Sequence, residues 1–203
     1  VDEAAAEALL RTAIDAGVDH FDTSDAYGHG ANETLVGRAL AASGRRDRIV
    51  VATKVGLVGG EGATQYEYRR DGRPEHIRAA CDASLRRLGL DTIDLYYLHR
   101  IDPEVPVEDT WSAMAGLVAA GKVRWLGISE AEVAELERIR RVHPVTAVQS
   151  ELSLWTRDYL GDVVPWCEAN GASFVAFSPL GRGFLTGTIQ VGAQFSEADF
   201  RST

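Results

Sequence analysis

Short, strongly apolar runs alternate along the chain with longer stretches in which apolar residues recur every three or four positions. Runs of the first kind, rich in Val and Ile and closed by polar residues or glycine, are typical of buried β-strands. Stretches of the second kind predict amphipathic helices. The pattern predicts strands at 17–21, 49–54, 93–99, 123–129, 145–149 and 173–178, and helices at 3–16, from 32 onward, and at 74–88, 107–120, 131–141 and about 157–170.

The boundaries of these elements carry recognisable signals. Pro74 suits the first position of a helix, glycine follows most of the helical stretches, and Asn32 is expected to be the N-cap of the second helix. Residues 56–73 form a long, polar, glycine-rich connection, and loops of that length are usually functional or mobile. Everything after residue 186 is small and polar, so we expect loop there.

The order of the elements gives six strand-then-helix units, the last without its helix, which predicts a parallel sheet with right-handed crossovers. Two architectures compete. A doubly wound sheet is expected to carry a G-x-G-x-x-G turn after its first strand, and none is present. Polar residues instead close many different strands, as the top face of a barrel requires. We therefore expect one α/β domain over residues 1–203, an incomplete (β/α)8 TIM barrel with about six of the eight units.

Composition limits the partners. The chain has 203 residues, 45% of them apolar, and a formal net charge of −9, which disfavours nucleic acid and anionic membranes. No apolar run reaches the roughly 18–20 residues of a spanning helix, and no signal peptide is visible. Cys81 and Cys167 fall on apolar stripes of predicted helices, so we expect structural thiols in a reducing compartment. We predict a cytoplasmic protein, and the sequence leaves its oligomeric state open.

Candidate chemistry lies where the predicted strands end. Asp22 follows the first strand and Tyr27 lies five residues later in a polar turn, Lys54 closes the second strand, and His99 closes the third. Each has a commoner explanation when taken singly: a turn-capping carboxylate, a solvated lysine, a core histidine. Their joint occurrence in order favours a catalytic set, because strand ends converge at the mouth of a barrel. The later strands end in Ser129, Gln149, Phe177 and Ser178.

These four groups fit together chemically. A phenol has a pKa near 10, and an ammonium group close by lowers that value. A carboxylate keeps the ammonium group charged and oriented, and an imidazole can donate to a carbonyl oxygen. Such a site can polarise a C=O group and protonate the developing alkoxide, but it contains no hydride donor, so a reduction requires a nicotinamide cofactor. The remaining histidines show no metal-ligand spacing, and we predict no metal site.

The strand ends also carry an ordered set of short motifs: Phe21-Asp22-Thr23-Ser24 with Tyr27-Gly28, Ala52-Thr53-Lys54, Tyr97-Leu98-His99, Gly127-Ile128-Ser129, Val148-Gln149, and Ser178-Pro179-Leu180-Gly181-Arg182-Gly183. In this order and spacing they make the chain resemble the aldo-keto reductases over residues 1–201. The resemblance implies a TIM barrel that reduces aldehydes and ketones with NADPH. It further implies that Tyr27 is the proton donor, tuned by Lys54 and Asp22, and that His99 orients the carbonyl.

The resemblance also assigns the cofactor contacts. Ser129 and Gln149 would hydrogen-bond the nicotinamide carboxamide, and Phe177 would stack on the ring. The pyrophosphate would be covered by a loop made of Ser178, Pro179, Leu180, Gly181, Arg182 and Gly183. Candidates for the substrate pocket are Tyr66, Tyr68, Trp155 and Phe184, and the alternative for Trp155 is a place on the barrel rim.

Three departures from the family pattern matter. Glu130 stands where many relatives carry Asn, and Phe177 replaces the commoner Tyr but keeps a stacking face. The first strand and everything after the seventh are absent, which would leave two sheet edges exposed, and we expect a fragment or further flanking segments. Because the family binds the adenosine 2′-phosphate after strand eight, NADH stays an alternative to NADPH.

Three functions therefore remain under comparison. The first is an NADPH-dependent carbonyl reductase in which Tyr27 donates the proton. The second is a non-catalytic, cofactor-sensing or scaffold subunit of the same fold. The third is a barrel enzyme in which Lys54 forms a Schiff base, and we rank it last because a lysine beside a carboxylate and a phenol should stay protonated.

Overall fold

The computed structural model describes residues 2–59, 68–196 and 199–202. Their helices and strands follow in the order α1 Glu3–Asp15, β1 His20–Asp22, α2 Ala31–Ser43, β2 Val50–Val55, β3 Leu57–Val58, β4 Arg69–Arg70, α3 Pro74–Leu88, β5 Ile93–Leu98, α4 Val107–Ala119, β6 Val123–Ser129, α5 Val133–Ile139, β7 Ala147–Glu151, α6 Val163–Asn170 and β8 Ser173–Phe177. Short 3-10 helices occur at Tyr27–Gly30, Arg46–Arg48, Asp158–Gly161, Phe184–Thr186 and Phe200–Ser202.

Six strands form a single parallel sheet in the order β1-β2-β5-β6-β7-β8, which curls into a half-barrel. The remaining pair, β3 and β4, is an antiparallel hairpin in the connection that follows β2. Helices between consecutive strands of the sheet make the crossovers. The incomplete (β/α)8 barrel expected from the sequence is therefore confirmed.

The sheet has two apolar faces. Outward-facing side chains such as Tyr96, Leu98 and Ile128 pack with the helices in the main core. A smaller cluster on the concave face contains Ala52, Leu95, Tyr97 and Ala147. Because both faces of the central strands are buried, β5 is apolar at nearly every position, as is usual for parallel strands covered on both sides.

Among the element boundaries that differ from those expected, two near the start of the chain have a local cause. The first strand begins at His20 and not at residue 17, because the Val18 N–H still bonds to Ala13 O at the end of α1. The second helix begins at Ala31 after Gly30, so Asn32 is not its N-cap. The Asn32 side chain instead accepts a hydrogen bond of 2.7 Å from Thr23 Oγ1, which ties the helix to the end of β1.

The last predicted helix is also divided. A 3-10 turn at Asp158–Gly161 precedes α6, and Asp162 lies between them with a non-helical backbone. The Asp162 carboxylate accepts from the Val163 N–H and caps the helix that follows.

Both cysteines are free and buried, as expected. Burial raises the pKa of Cys81 to about 12 and that of Cys167 to about 11, so neither thiol is a ready nucleophile. In the part of the chain that the structure describes, no helix has both the length and the apolar character needed to cross a bilayer.

Helices α2 and α3 approach each other closely at Gly37. A methyl group placed there would lie 2.5 Å from the backbone oxygen of Leu88, and a backbone oxygen cannot swing away. We expect Gly37→Ala to lower the free energy of unfolding by about 1–3 kcal/mol through overpacking.

Gly116 provides the matched control because it is exposed on α4, and a methyl group placed there would meet none of the described residues within 4 Å. At this position Gly→Ala should raise stability by about 0.5–1 kcal/mol through helix propensity alone. Urea unfolding of both variants measures the difference, and equal effects would contradict the proposed close approach.

Candidate active site

The side chains expected to form the site project from the concave face of the sheet at its carboxyl edge. Lys54 is in register with Tyr97 on β5, and Ser129 on β6 is in register with Gln149 on β7. His99 directly follows β5, and its N–H bonds to Val55 O at 2.8 Å, which extends the pairing by one residue. The parallel register therefore brings together positions that are far apart in the sequence.

A buried ammonium group is the centre of this arrangement. Lys54 is only 1% exposed, and its Nζ donates to Asp22 Oδ1 and, at 2.8 Å, to Thr23 O. The second carboxylate oxygen, Asp22 Oδ2, accepts from Gln149 Nε2 at 2.9 Å. Burying a charge is costly unless it is paired and hydrogen-bonded, and here β1 and the residue after it supply the partners of Lys54, while β7 supplies the partner of Asp22.

Tyr27 lies directly above this pair. Its ring centroid is 5.1 Å from Lys54 Nζ and 5.9 Å from the His99 ring, which it meets edge to face. Tyr27 remains 43% exposed and lines a cleft of about 700 Å³ together with His99, Leu57, Tyr68, Arg70 and Arg100. The Tyr27 ring thus lies next to the cation and the imidazole, and part of it faces the open cleft.

His99 is held as a neutral imidazole. It is 7% exposed, and burial, assisted by the charges of Lys54 and Arg100, lowers its pKa to about 3. Its Nδ1 lies 3.1 Å from Ser24 Oγ. At neutral pH the ring therefore carries a single proton that is available for hydrogen bonding.

Behind the site, on the outward face of the sheet, lies a second buried ion pair that the sequence did not reveal. Glu33 on α2 is fully buried and accepts from Thr53 Oγ1 at 2.6 Å and from Arg87 Nε on α3 at 2.6 Å. Asp25 lies near this pair, and burial together with the Glu33 carboxylate raises the pKa of Asp25 to about 7. In the sequence, Glu33 falls on an otherwise apolar helix face, which indicates a buried charge but does not identify its partner Arg87.

The proposed carboxamide contacts have a suitable donor set. Arg100 Nη1 donates to Ser129 Oγ at 2.9 Å and to His99 O at 2.6 Å. The Ser129 hydroxyl thus accepts from Arg100 and keeps its own proton for another acceptor. The Ser129 hydroxyl and the Gln149 amide are the donor and acceptor groups that an amide requires, and Phe177 offers an aromatic face. Arg100 is a site residue that its position after His99 could have suggested.

The backbone conformation of Glu130 explains why Asn suits this position. Its φ angle of 57° lies in the left-handed region, which Asn tolerates better than Glu. The carboxylate accepts from the Glu151 N–H at 3.0 Å and from Tyr159 Oη at 3.4 Å. These bonds hold the Glu130 side chain against the end of β7, so both of its carboxylate oxygens have partners within the protein.

The loop of residues 178–183 folds into a compact turn after β8. Ser178, Gly181, Arg182 and Gly183 all have positive φ angles, and the Gly181 N–H bonds to Ser178 O at 2.8 Å. Trp155 packs against Gly181 so closely that a side chain there would clash. The structure therefore places Trp155 beside this turn and Phe184, 5.0 Å away, and not in the Tyr27 cleft.

Of the other pocket candidates, Tyr68 lies in the cleft, and its hydroxyl donates to Ala26 O at 2.8 Å. Tyr66 falls outside the described residues. Among those residues there is no group of three or more His, Cys, Asp and Glu side chains suited to a metal ion.

The family comparison agrees with this geometry. The sequence profile of the aldo/keto reductase family matches residues 1–202, and the chain belongs to that family. A glycerol dehydrogenase from Gluconobacter oxydans is 36% identical, with a TM-score of 0.86 over 95% of this chain and 60% of its own.

Two further solved structures are similar. An aldo-keto reductase from Bacillus halodurans, in its holo form, is 30% identical, with a TM-score of 0.84 over 97% of this chain and 64% of its own. An aldo/keto reductase from Klebsiella pneumoniae, in complex with NADP and acetate, is 30% identical, with a TM-score of 0.73 over 90% of this chain and 60% of its own. The chain thus spans about 60% of the length of these relatives.

The pKa shifts of Asp25 and His99 predict opposing effects of pH on stability. Asp25 titrates near 7 when folded and at 3.8 when unfolded, so its contribution is lost as pH rises through that window. His99 titrates near 3 when folded and at 6.5 when unfolded, so its contribution is lost as pH falls. The two slopes offset each other between about pH 4 and 6.5.

Asp25→Asn should therefore remove the contribution of Asp25 and leave the pH dependence of stability that comes from His99. Relative to wild type, the free energy of unfolding of the variant should rise with pH between about 4 and 7, by at most about 1.4 kcal/mol per pH unit. Urea titrations at several pH values in this range provide the measurement. Parallel curves for the two proteins would show that Asp25 does not titrate as described.

Proposed function

We propose that the chain carries the proton-transfer site of an NADP-dependent carbonyl reductase, which converts an aldehyde or ketone into an alcohol. The observation that supports this proposal is the single cluster formed by Lys54, Asp22 and Gln149, with the Tyr27 phenol beside it and His99 across a ring contact. The family membership supports the same reaction class.

Each side chain has a role that follows from its contacts. A carbonyl oxygen in the cleft would accept hydrogen bonds from Tyr27 and from the neutral imidazole of His99. As negative charge develops on that oxygen, Tyr27 would release its proton to it, and the Lys54 ammonium would stabilise the phenolate left behind. Asp22 would act through Lys54 by keeping the ammonium group in place.

The cofactor would be held by the adjoining strand ends. Ser129 and Gln149 would bind the carboxamide, Phe177 would stack on the ring, and the turn of residues 178–183 would cover the pyrophosphate. When bound, a reduced nicotinamide would supply the hydride. The relative solved with NADP supports NADPH, and NADH is the alternative that nucleotide titration would decide.

The substrate would be a small molecule, because the cleft next to Tyr27 has a volume of about 700 Å³. Leu57 and Tyr68 would contact its apolar part. We expect the protein to work in a reducing compartment such as the cytoplasm, because both cysteines are free.

Removal of the proposed proton donor gives the direct test. Tyr27→Phe should lower carbonyl reduction by at least about 100-fold, since general acid catalysis contributes factors of that size. Nucleotide binding should persist, because Tyr27 is not among the proposed cofactor contacts. The measurements are NADPH oxidation with a panel of aldehydes and ketones and fluorescence titration of the nucleotide.

Tyr96→Phe is the matched control. The Tyr96 hydroxyl is buried on the helix-facing side of the same sheet and has no hydrogen-bond partner among the described residues, so its removal should leave turnover unchanged. Full activity in Tyr27→Phe would overturn the mechanism. Tight nucleotide binding without turnover of any carbonyl by the wild-type chain would favour the cofactor-sensing alternative.

A further inference from the structure

Ser24 makes a contact that none of the roles above explains. Its side chain is fully buried behind the site, and its Oγ lies 3.1 Å from Nδ1 of His99. The same oxygen accepts the Ala26 N–H at 3.1 Å, and Asp25 Oδ1 lies 3.4 Å away. The hydroxyl therefore lies between one backbone donor and two side-chain groups, and Nδ1 of His99 is a donor or an acceptor depending on the tautomer of the ring.

A hydroxyl group has one proton to donate, so its partners constrain the neutral imidazole. If Ser24 donates to Nδ1 of His99, the ring proton resides on Nε2, on the other side of the ring, where it can serve a ligand in the cleft. If Ser24 instead donates to Asp25, the ring proton is on Nδ1, and Nε2 can only accept a hydrogen bond. Only the first arrangement allows His99 to orient a carbonyl oxygen.

We infer that Ser24 is a positioning residue that donates its hydroxyl proton to Nδ1 of His99 and thereby keeps the imidazole proton on Nε2. Of its two side-chain contacts, the one to His99, at 3.1 Å, is shorter than the one to Asp25, at 3.4 Å. Its interaction with the Ala26 N–H fixes the serine rotamer and leaves the hydroxyl proton as the group that must find an acceptor. The inference deepens the proposed function, on which the catalytic meaning of the Nε2 proton rests.

The surroundings of Asp25 support this choice. The Ser24 hydroxyl donates to Asp25 and not to His99 only if the Asp25 carboxylate is a stronger acceptor than Nδ1 of His99. The Asp25 carboxyl faces the Glu33 carboxylate on α2, the Arg87 guanidinium on α3, and the buried phenol of Tyr96 on β5. Burial and the nearby Glu33 charge disfavour its ionised form, which weakens it as a competitor.

The tautomer of His99 can be measured without any turnover. Long-range proton–nitrogen NMR spectra of the ¹⁵N-labelled chain at pH 6 distinguish a protonated ring nitrogen from a bare one. In the wild type, His99 should show a bare Nδ1 and a protonated Nε2. In Ser24→Ala, the ratio of Nδ1-protonated to Nε2-protonated ring should rise roughly fivefold to tenfold, the factor that one hydrogen bond provides.

Two further variants separate a lost hydrogen bond from a general disturbance. Ser24→Thr keeps the hydroxyl and should restore the wild-type nitrogen shifts. Thr23→Val removes the neighbouring buried hydroxyl, which bonds to Asn32 and not to His99, and should leave the His99 signals as they are. A wild-type ring protonated on Nδ1 would overturn the inference, and so would unchanged nitrogen shifts in a folded Ser24→Ala protein.

This outcome is independent of the reductase assignment. If Tyr27→Phe keeps full activity while the nitrogen shifts follow the pattern above, the proposed function fails and the role of Ser24 in setting the tautomer stands. If Ser24→Ala does not fold, the wild-type tautomer and Ser24→Thr decide the question.

Discussion

The site depends on one interaction, the ion pair between the buried Lys54 ammonium group and the Asp22 carboxylate inside the half-barrel. A cation at that depth requires compensation, and it receives it from Asp22, from the Thr23 carbonyl and, through Asp22, from Gln149. Asp22 and Thr23 lie at the end of β1, and Gln149 lies on β7. Through these hydrogen bonds, Lys54 on β2 links the first strand of the sheet to the last but one. The Tyr27 ring lies over this cation, and the His99 ring meets Tyr27 edge to face.

Adjacent residues of β2 anchor the two ends of the segment that carries Tyr27. Lys54 points into the barrel and binds Asp22, just before the turn, whereas Thr53 points to the helices and binds Glu33, just after it. Alternation of side chains along a strand makes this division unavoidable. The turn between residues 22 and 33 is therefore held from both faces of the sheet, and Tyr68 adds a third contact to it at Ala26 O.

Much of this arrangement was accessible from the sequence, because strands and helices differ in apolar period and barrel strands end on a common rim. The positions of Asp22, Lys54, His99, Ser129 and Gln149 followed from strand ends alone. The roles of Ser24 and of the Glu33–Arg87 pair could not be predicted in this way, since they come from contacts between elements that no local pattern records. The sequence left two locations open for Trp155, and its packing against Gly181 is likewise a contact between separate segments.

The strands that carry the proposed site residues differ in burial and in the number of strands paired with them. β5 is buried at every position and lies between two neighbours, whereas β8 is paired only with β7 in the described sheet and is partly exposed throughout. Phe177 and the turn that would cover the pyrophosphate thus belong to a strand with one described neighbour, whereas His99 directly follows the fully buried β5. A nucleotide that binds this strand in its folded form stabilises that form by mass action, so nucleotide affinity and local order at this edge are thermodynamically linked.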